Sequence, residues 1–237
     1  MHDHLFALPA DTSAVSGDRS VLRRWEDGCL RDEARESFVV PELARLVRRV
    51  RPRTVIDVGA RTGSLLGRLL SLHRDAFVGR QLIALERDRE AAAFMTRRFD
   101  SLGVMVVDRA IDEWTPEVAC PALFLLCYTA LELSERDLRR VFSWAGSNGQ
   151  LVMVLPDALE DLPSIQQLRR FARGEAVRLA KIDRFTGEQY PYIARRPELW
   201  LSWCLDAGLR LCELSTYKTR SQRTHFLYYF SSAARAA

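Results

Sequence analysis

The chain has 237 residues, 48% hydrophobic and 28% charged, with 35 Lys and Arg against 31 Asp and Glu for a formal net charge of +4. It can bury one sizeable core, and with no low-complexity tract it leaves room for disorder only at its ends. The basic residues are spread out rather than clustered with aromatics between them, and no run approaches the ~20 apolar residues of a membrane span, so neither a nucleic-acid partner nor a membrane is expected.

The start, Met1-His2-Asp3-His4, lacks the basic and then apolar pattern of a signal peptide. Residues 1–20 carry Pro9, Gly17 and several small polar residues and read as flexible. Val21, Leu22, Trp25 and Cys29 are spaced for a short amphipathic helix, with Gly28 weakening it. Pro41 suits the first turn of the next helix, whose apolar face is Leu43, Leu46, Val47 and Val50 and which Pro52 closes. Thr54 to Val58 is a short β-branched run of the kind covered on both faces of a sheet. A glycine-bearing turn follows, and then an apolar helix from Ser64. Gln81 to Glu86 and Gly103 to Asp108 are further buried strands that end in an acid, separated by a helix from Arg89 to Asp100. Pro121 to Cys127 is a fourth strand. Ser134 and Asp137 resemble a capping box ahead of a helix carrying Leu138, Val141, Phe142 and Trp144. Asn148-Gly149 reads as a turn before a fifth strand, Leu151 to Leu155.

Strand and helix alternate over residues 54–155, the pattern of a doubly wound parallel sheet. Asp157 to Arg196 has no strong strand signal and reads as a helical cap inserted over the sheet. Pro197 opens a helix that Gly208 closes. Leu209 to Tyr217 and Thr224 to Phe230 are two strands joined by a polar turn, a closing antiparallel hairpin. The expected organisation is a single domain: an N-terminal helical cap (1–50), a ligand-binding core (51–156), a substrate cap (157–196), and a last helix with its hairpin (197–237). Cys29, Cys120, Cys127, Cys204 and Cys212 show no C-x-x-C pairing, which favours reduced thiols in a cytoplasmic protein over a disulfide frame or zinc site.

The stretch from Thr54 to Ser64 organises the rest. A strand, a tight glycine turn and a helix N-terminus bring bare backbone and unpaired N–H groups against a polar ligand. The dinucleotide fingerprint G-x-G-x-x-G, started at Gly59, needs glycine at 61 and 64, where Arg61 and Ser64 stand. The other pattern is an acid two residues before the first glycine, a closing glycine, and a second acid ending the next strand. Asp57, Gly59, Gly63 and Glu86 meet it, with Asp108 as a third acid. On these residues, and on Asn148-Gly149 and Ala207-Gly208 before the fifth and sixth strands, the chain resembles the class I S-adenosylmethionine-dependent methyltransferases over most of its length.

That resemblance implies an α/β fold with a doubly wound, mostly parallel seven-stranded Rossmann-like sheet whose last strand is antiparallel. It implies S-adenosyl-L-methionine as cofactor and S-adenosyl-L-homocysteine as product. Asp57 would hold the methionine ammonium. Gly59, Ala60 and Gly63 would let backbone approach the methionine and ribose, and Glu86 would accept from the ribose hydroxyls, with Arg87 beside it. Asp108 would take the adenine amino group, backbone near Arg109 and Ala110 the ring edge, and Cys127 would lie beside the sulfonium. Arg61 replaces the family's middle glycine, so its side chain must either point away from the cofactor or reach the cofactor carboxylate.

A base is needed only where the acceptor must lose a proton early, and Tyr128, Glu132, Tyr190 and His225 are the candidates. Trp25, Phe185, Tyr190 and Tyr192 are expected to contact substrate. Cys127-Tyr128-Thr129-Ala130 stands where base and glutamine amino-methylating relatives carry an N-P-P-Y-type tetrapeptide, and no metal-ligand cluster is apparent. The expected function is metal-independent methyl transfer to an oxygen or nitrogen of a small molecule, in specialised metabolism, by a monomer or homodimer. A non-catalytic methyltransferase-like binding or scaffold protein and an RNA or protein methyltransferase are the alternatives.

Overall fold

A computed structural model describes residues 19–182, 186–187 and 189–232. The N-terminal residues expected to be flexible lie outside the described residues up to position 18, and Phe185 lies outside them too.

Helix α1 (Arg19–Leu30) leads to a π turn (Arg35–Val39) that runs directly into α2 (Val40–Val50). The helical stretch therefore starts ahead of Pro41. Pro41 has no N–H to donate four residues back, and the Val40 N–H donates instead to the Arg35 carbonyl, five residues back. The chain then alternates through β1 (Thr54–Val58), α3 (Ser64–His73), β2 (Gln81–Glu86), α4 (Arg89–Phe99), β3 (Val104–Asp108), β4 (Ala122–Cys127), α5 (Glu135–Asn148) and β5 (Gly149–Pro156). As the capping motif predicts, the Ser134 side chain accepts from the Asp137 N–H at the start of α5. Asn148 closes α5 and Gly149 already belongs to β5, so the expected turn there is a direct helix-to-strand junction.

Residues 157–196 are a mixed insert rather than a helical one. A short helix α6 (Ile165–Ala172) precedes a ribbon of two antiparallel strands, β6 (Val177–Ile182) and β7 (Gln189–Ala194). In β6 the side chains alternate between covered and exposed, with Val177, Leu179 and Lys181 inward. A lysine at an inward position and an isoleucine at an outward one masked that period of two in the sequence. Helix α7 (Pro197–Asp206) and strands β8 (Leu209–Lys218) and β9 (Thr224–Ser232) complete the chain.

Seven strands form one sheet in the order β3-β2-β1-β4-β5-β9-β8, in which β9 runs antiparallel to both neighbours and all other pairings are parallel. β1 is buried along its whole length. Its Ile56 and Val58 pack with Leu138, Phe142, Trp200 and Trp203 of α5 and α7 on one face, while Val55 packs with Leu43, Leu46, Leu66 and Phe99 of α2, α3 and α4 on the other. The strands thus need continuous apolar runs, as the sequence supplies. Among the described residues, no helix is long and apolar enough to cross a membrane.

Candidate active site

The strand order reverses between β1 and β4, so the loops leaving their C-terminal ends diverge and open a crevice, the usual ligand position in such sheets. The glycine turn after β1 and the Tyr128 loop after β4 flank a cavity of about 1360 Å³. α1, the Glu86–Asp88 loop, the Arg109–Asp112 segment, the insert and the β8–β9 turn supply its other walls.

Within the glycine turn, Gly59 and Gly63 hold φ values of +71° and +68°. A Cβ on Gly59 would fall 2.3 Å from the Thr129 methyl, and one on Gly63 would fall 2.4 Å from the Phe99 ring. Both glycines are therefore required by protein packing as well as by backbone conformation. Gly63→Ala is expected to destabilise the protein by about 2–4 kcal/mol, from overpacking on a ring held by α4 together with left-handed backbone. Chemical denaturation would read this as a lower midpoint; an unchanged midpoint would mean that Phe99 yields freely.

Asp57, at the end of β1, is 3% exposed, and its Oδ2 is buried with no hydrogen-bond partner. Burial is the main reason that its carboxyl is pushed up to about 7; the Glu86 charge adds to this and Arg35 opposes it. Arg35, on the π turn, also lines the cavity. It lies within electrostatic reach of both Asp57 and Cys127. Sequence reading overlooked it, because the charged run from Arg31 to Glu36 marks none of its members. The fold brings Arg31, Asp32 and Glu33 of that run to the cavity wall along with Arg35.

Glu86 is 7% exposed and accepts from the Arg61 N–H at 2.7 Å on Oε2 and the Asp88 N–H at 2.9 Å on Oε1. Each oxygen keeps a further lone pair for a ligand. Arg87, Arg109 and Ala110 line the cavity beside it. The Arg109 N–H donates to the Glu86 carbonyl at 3.1 Å and the Ala110 N–H to the Glu113 carboxylate at 3.3 Å. Asp108 is exposed at the end of β3, directly beside Glu86 in the sheet register, and is not itself part of the cavity lining.

Arg61 adopts left-handed backbone, φ +50°. Its guanidinium stacks on the Trp25 ring of α1, 4.2 Å from the centroid, and approaches the Glu132 carboxylate at 3.7 Å. This joins α1 to the loop after β4 across the mouth of the glycine turn. Glu26 and Arg98 form a second ion pair between α1 and α4. Trp25, Arg61 and Glu132 are thus brought together as one roof.

Tyr128 follows Cys127 at the end of β4 with φ +66°, an unusual conformation for a bulky residue and one associated with functional loops. Its hydroxyl shares a 3.0 Å hydrogen bond with Nδ1 of His225, which β9 contributes, the donor being set by the histidine tautomer. His225 is 8% exposed. Burial pushes the Cys127 thiol well up, so it is a neutral wall of the cavity.

On the insert, Tyr190 and Tyr192 both line the cavity; Tyr192 is 2% exposed, and its hydroxyl donates to Asp161 Oδ2 at 2.7 Å. Asp161 Oδ1 also meets Lys181 at 2.5 Å and Arg223 at 2.6 Å. None of these three charged residues stood out in the sequence. Lys181 could have, as one of two lysines in a chain whose other cations are all arginine.

No protein-family model and no curated protein matches the sequence. The architecture, however, superposes on solved structures over most of its length. One is magnesium protoporphyrin IX methyltransferase from Synechocystis PCC 6803 with bound SAH (TM-score 0.60, 11% identity, 91% of this chain and 95% of that one). Another is the glycopeptide N-methyltransferase MtfA complexed with S-adenosyl-L-homocysteine (TM-score 0.58, 14% identity, 81% and 88%). A third is a SAM-dependent methyltransferase from Methanosarcina mazei (TM-score 0.55, 12% identity, 76% and 92%). The fold is that of the class I methyltransferases. At such identities the likeness establishes architecture, and the chemistry has to be argued from the site.

Proposed function

We propose that the protein is a methyltransferase that moves a methyl group from S-adenosyl-L-methionine to an oxygen or nitrogen of a small organic acceptor. The observation that carries this reading is the buried, unpartnered Oδ2 of Asp57 at the switch point of the sheet. A buried carboxylate oxygen without a donor is costly, and an ammonium group supplies the missing charge and hydrogen bond. The cavity volume also exceeds the roughly 300–1,000 Å³ usual for one small ligand, which suits a cofactor together with an acceptor.

Asp57 would hold the ammonium of the methionine moiety and Arg35 its carboxylate. Glu86 would accept from the ribose hydroxyls with the lone pairs that the turn leaves free. The backbone of Gly59 and Ala60 would border the ribose, and Arg87, Arg109 and Ala110 the adenine end. Asp108, next to Glu86 across the β2–β3 pair, would take the adenine amino group. Bound S-adenosylmethionine supplies a methyl carbon made electrophilic by a sulfonium, which Cys127 and Tyr128 would flank. The Trp25–Arg61–Glu132 roof would exclude water and keep the acceptor aligned. Tyr128 and His225 would take the proton of a hydroxyl or protonated amine acceptor, and Tyr190 would form part of the acceptor wall. Two of the structural neighbours are named for a magnesium protoporphyrin and a glycopeptide, which supports an organic acceptor.

Calorimetric titration with S-adenosylmethionine and S-adenosylhomocysteine tests the reading. Saturable binding is expected, weakened in Glu86→Ala by about 1.5–3 kcal/mol, the scale of hydrogen bonds to a charged group. No binding at millimolar ligand would overturn methyl transfer in favour of a methyltransferase-like scaffold. Unchanged affinity in Glu86→Ala would remove the ribose assignment alone.

A further inference from the structure

Opposite the glycine turn, the cavity wall contains a charge arrangement that cofactor binding does not use. The Asp161 side chain is 3% exposed, yet its Oδ1 serves two cations, Lys181 from β6 and Arg223 from the turn before β9. Its Oδ2 is taken by the Tyr192 hydroxyl. Among the described residues, the ion pairs of Lys181 and Arg223 both fall on this one carboxylate. Glu160, the adjacent acid, is exposed, and both its oxygens accept from the Thr224 N–H at 3.1 and 3.2 Å. The contact group of Lys181, Arg223 and Asp161 holds two positive charges against one negative, with the Glu160 carboxylate beside it on the same cavity wall.

Its position is specific. Lys181 sits directly across the ribbon from Tyr190 and packs over the Tyr192 ring at 3.9 Å from the centroid. Arg223 stands two positions before His225, the partner of Tyr128. Lys181, Arg223, Tyr190 and His225 all line the one cavity. Burial lowers the Lys181 pKa, with Asp161 opposing the shift, so this ammonium lacks part of the stabilisation that water would give it. An anion placed here would restore that stabilisation. The positive surplus is at most a single charge, which matches a monoanion better than a phosphate dianion, and the tyrosine rings beside it favour a flat apolar body.

We propose that Lys181 and Arg223 form the acceptor-recognition end of the cavity, and that the acceptor is an aromatic carboxylate whose carboxyl group docks there with its nucleophilic atom turned toward Tyr128 and His225. This rests on the methyl-transfer reading for the role of the ligand, but not for its binding. The arrangement also gives the insert a reason for being a ribbon. Antiparallel strands put Lys181 and Tyr190 side by side on one face, fixed against Asp161 and the β8–β9 turn.

The test is a binding panel of 4-hydroxybenzoate, 4-hydroxyphenylacetate and indole-3-carboxylate against their carboxamides, titrated into the full chain with and without S-adenosylhomocysteine. At least one carboxylate is expected to bind about tenfold or more tightly than its amide, and Lys181→Met and Arg223→Met should each abolish that preference while leaving S-adenosylhomocysteine affinity unchanged. Equal binding of acids and amides would overturn the proposal, as would a protein that binds S-adenosylhomocysteine but none of the carboxylates. So would two folded variants, with wild-type melting curves, that keep the preference. Carboxylate preference without any S-adenosylhomocysteine binding would uphold the anion site and overturn the methyl-transfer reading instead.

Discussion

Asp57→Asn is expected to raise the stability of the ligand-free protein at pH 8 while weakening its hold on S-adenosylmethionine at least tenfold. Both effects follow from one buried carboxyl. Unfolded, it titrates near its ordinary value of 3.8; folded, burial carries it to about 7. Between those values the native state holds a proton that the unfolded state has released. Stability therefore falls as pH rises from about 4 to about 7, and above that the fold carries the whole charge-burial cost, on the order of 3–4 kcal/mol. Asparagine cannot ionise and escapes it. The variant should melt at least about 5 °C above wild type at pH 8, with the gap closing toward pH 4. Affinity should move the other way. A bound ammonium favours the ionised carboxylate, so wild-type binding should tighten as pH rises from 5.5 to 7.5, and that dependence should disappear in Asp57→Asn. The scale of a hydrogen bond to a charged group sets the loss at about tenfold or more. Binding of 5′-methylthioadenosine, which lacks the amino-acid portion, should not change. Scanning calorimetry and titration against pH check all of this, and a variant that binds S-adenosylmethionine normally would remove Asp57 from the ammonium site.

Tyr128→Phe is expected to lower kcat for a hydroxyl acceptor by about 10²–10⁴-fold, the usual contribution of a positioned acid or base, with little change in KM. The variant keeps the ring that packs edge-on against His225, 5.7 Å between centroids, and loses only the hydroxyl that bonds Nδ1. His225→Gln, which retains a polar group of similar reach, should lose kcat as well. The combined variant should lose little more than either alone if the two residues act as a unit. The measurement is the initial rate of methyl transfer to the aromatic carboxylate that binds best, with kcat and KM separated. A Phe variant that keeps full kcat would place proton removal elsewhere or show that the acceptor needs none.

The sheet was legible in the sequence because its strands are buried on both faces. Val55-Ile56 and Leu82-Ile83-Ala84-Leu85 are continuous apolar runs that each end at an acid, and Leu123-Phe124-Leu125-Leu126 is a third that begins just after Pro121. The glycine turn was legible for a related reason: left-handed backbone restricts residue choice, so Gly59 and Gly63 mark it at fixed distances from Asp57. The insert hid its strands because a ribbon packed on one side needs only alternate apolar positions, and an inward Lys181 followed by an outward Ile182 disguises the period.

The sequence by itself thus determined the order of strands and helices outside the insert, the acid–glycine–acid pattern of Asp57, Gly59 and Glu86, and the antiparallel closing hairpin. These depend on short-range periodicity and backbone restriction, which a local window contains. Only the tertiary structure decided which residues share the cavity. It joined Tyr128 to His225 across 97 positions. It brought Arg35 near Asp57, set Asp108 beside Glu86, and gathered Asp161, Lys181 and Arg223 on one wall. Those encounters arise from strand order, from the π turn before α2 and from the folding-back of the ribbon. Charge and hydrogen-bond partnership between distant residues leave no periodic trace along the chain.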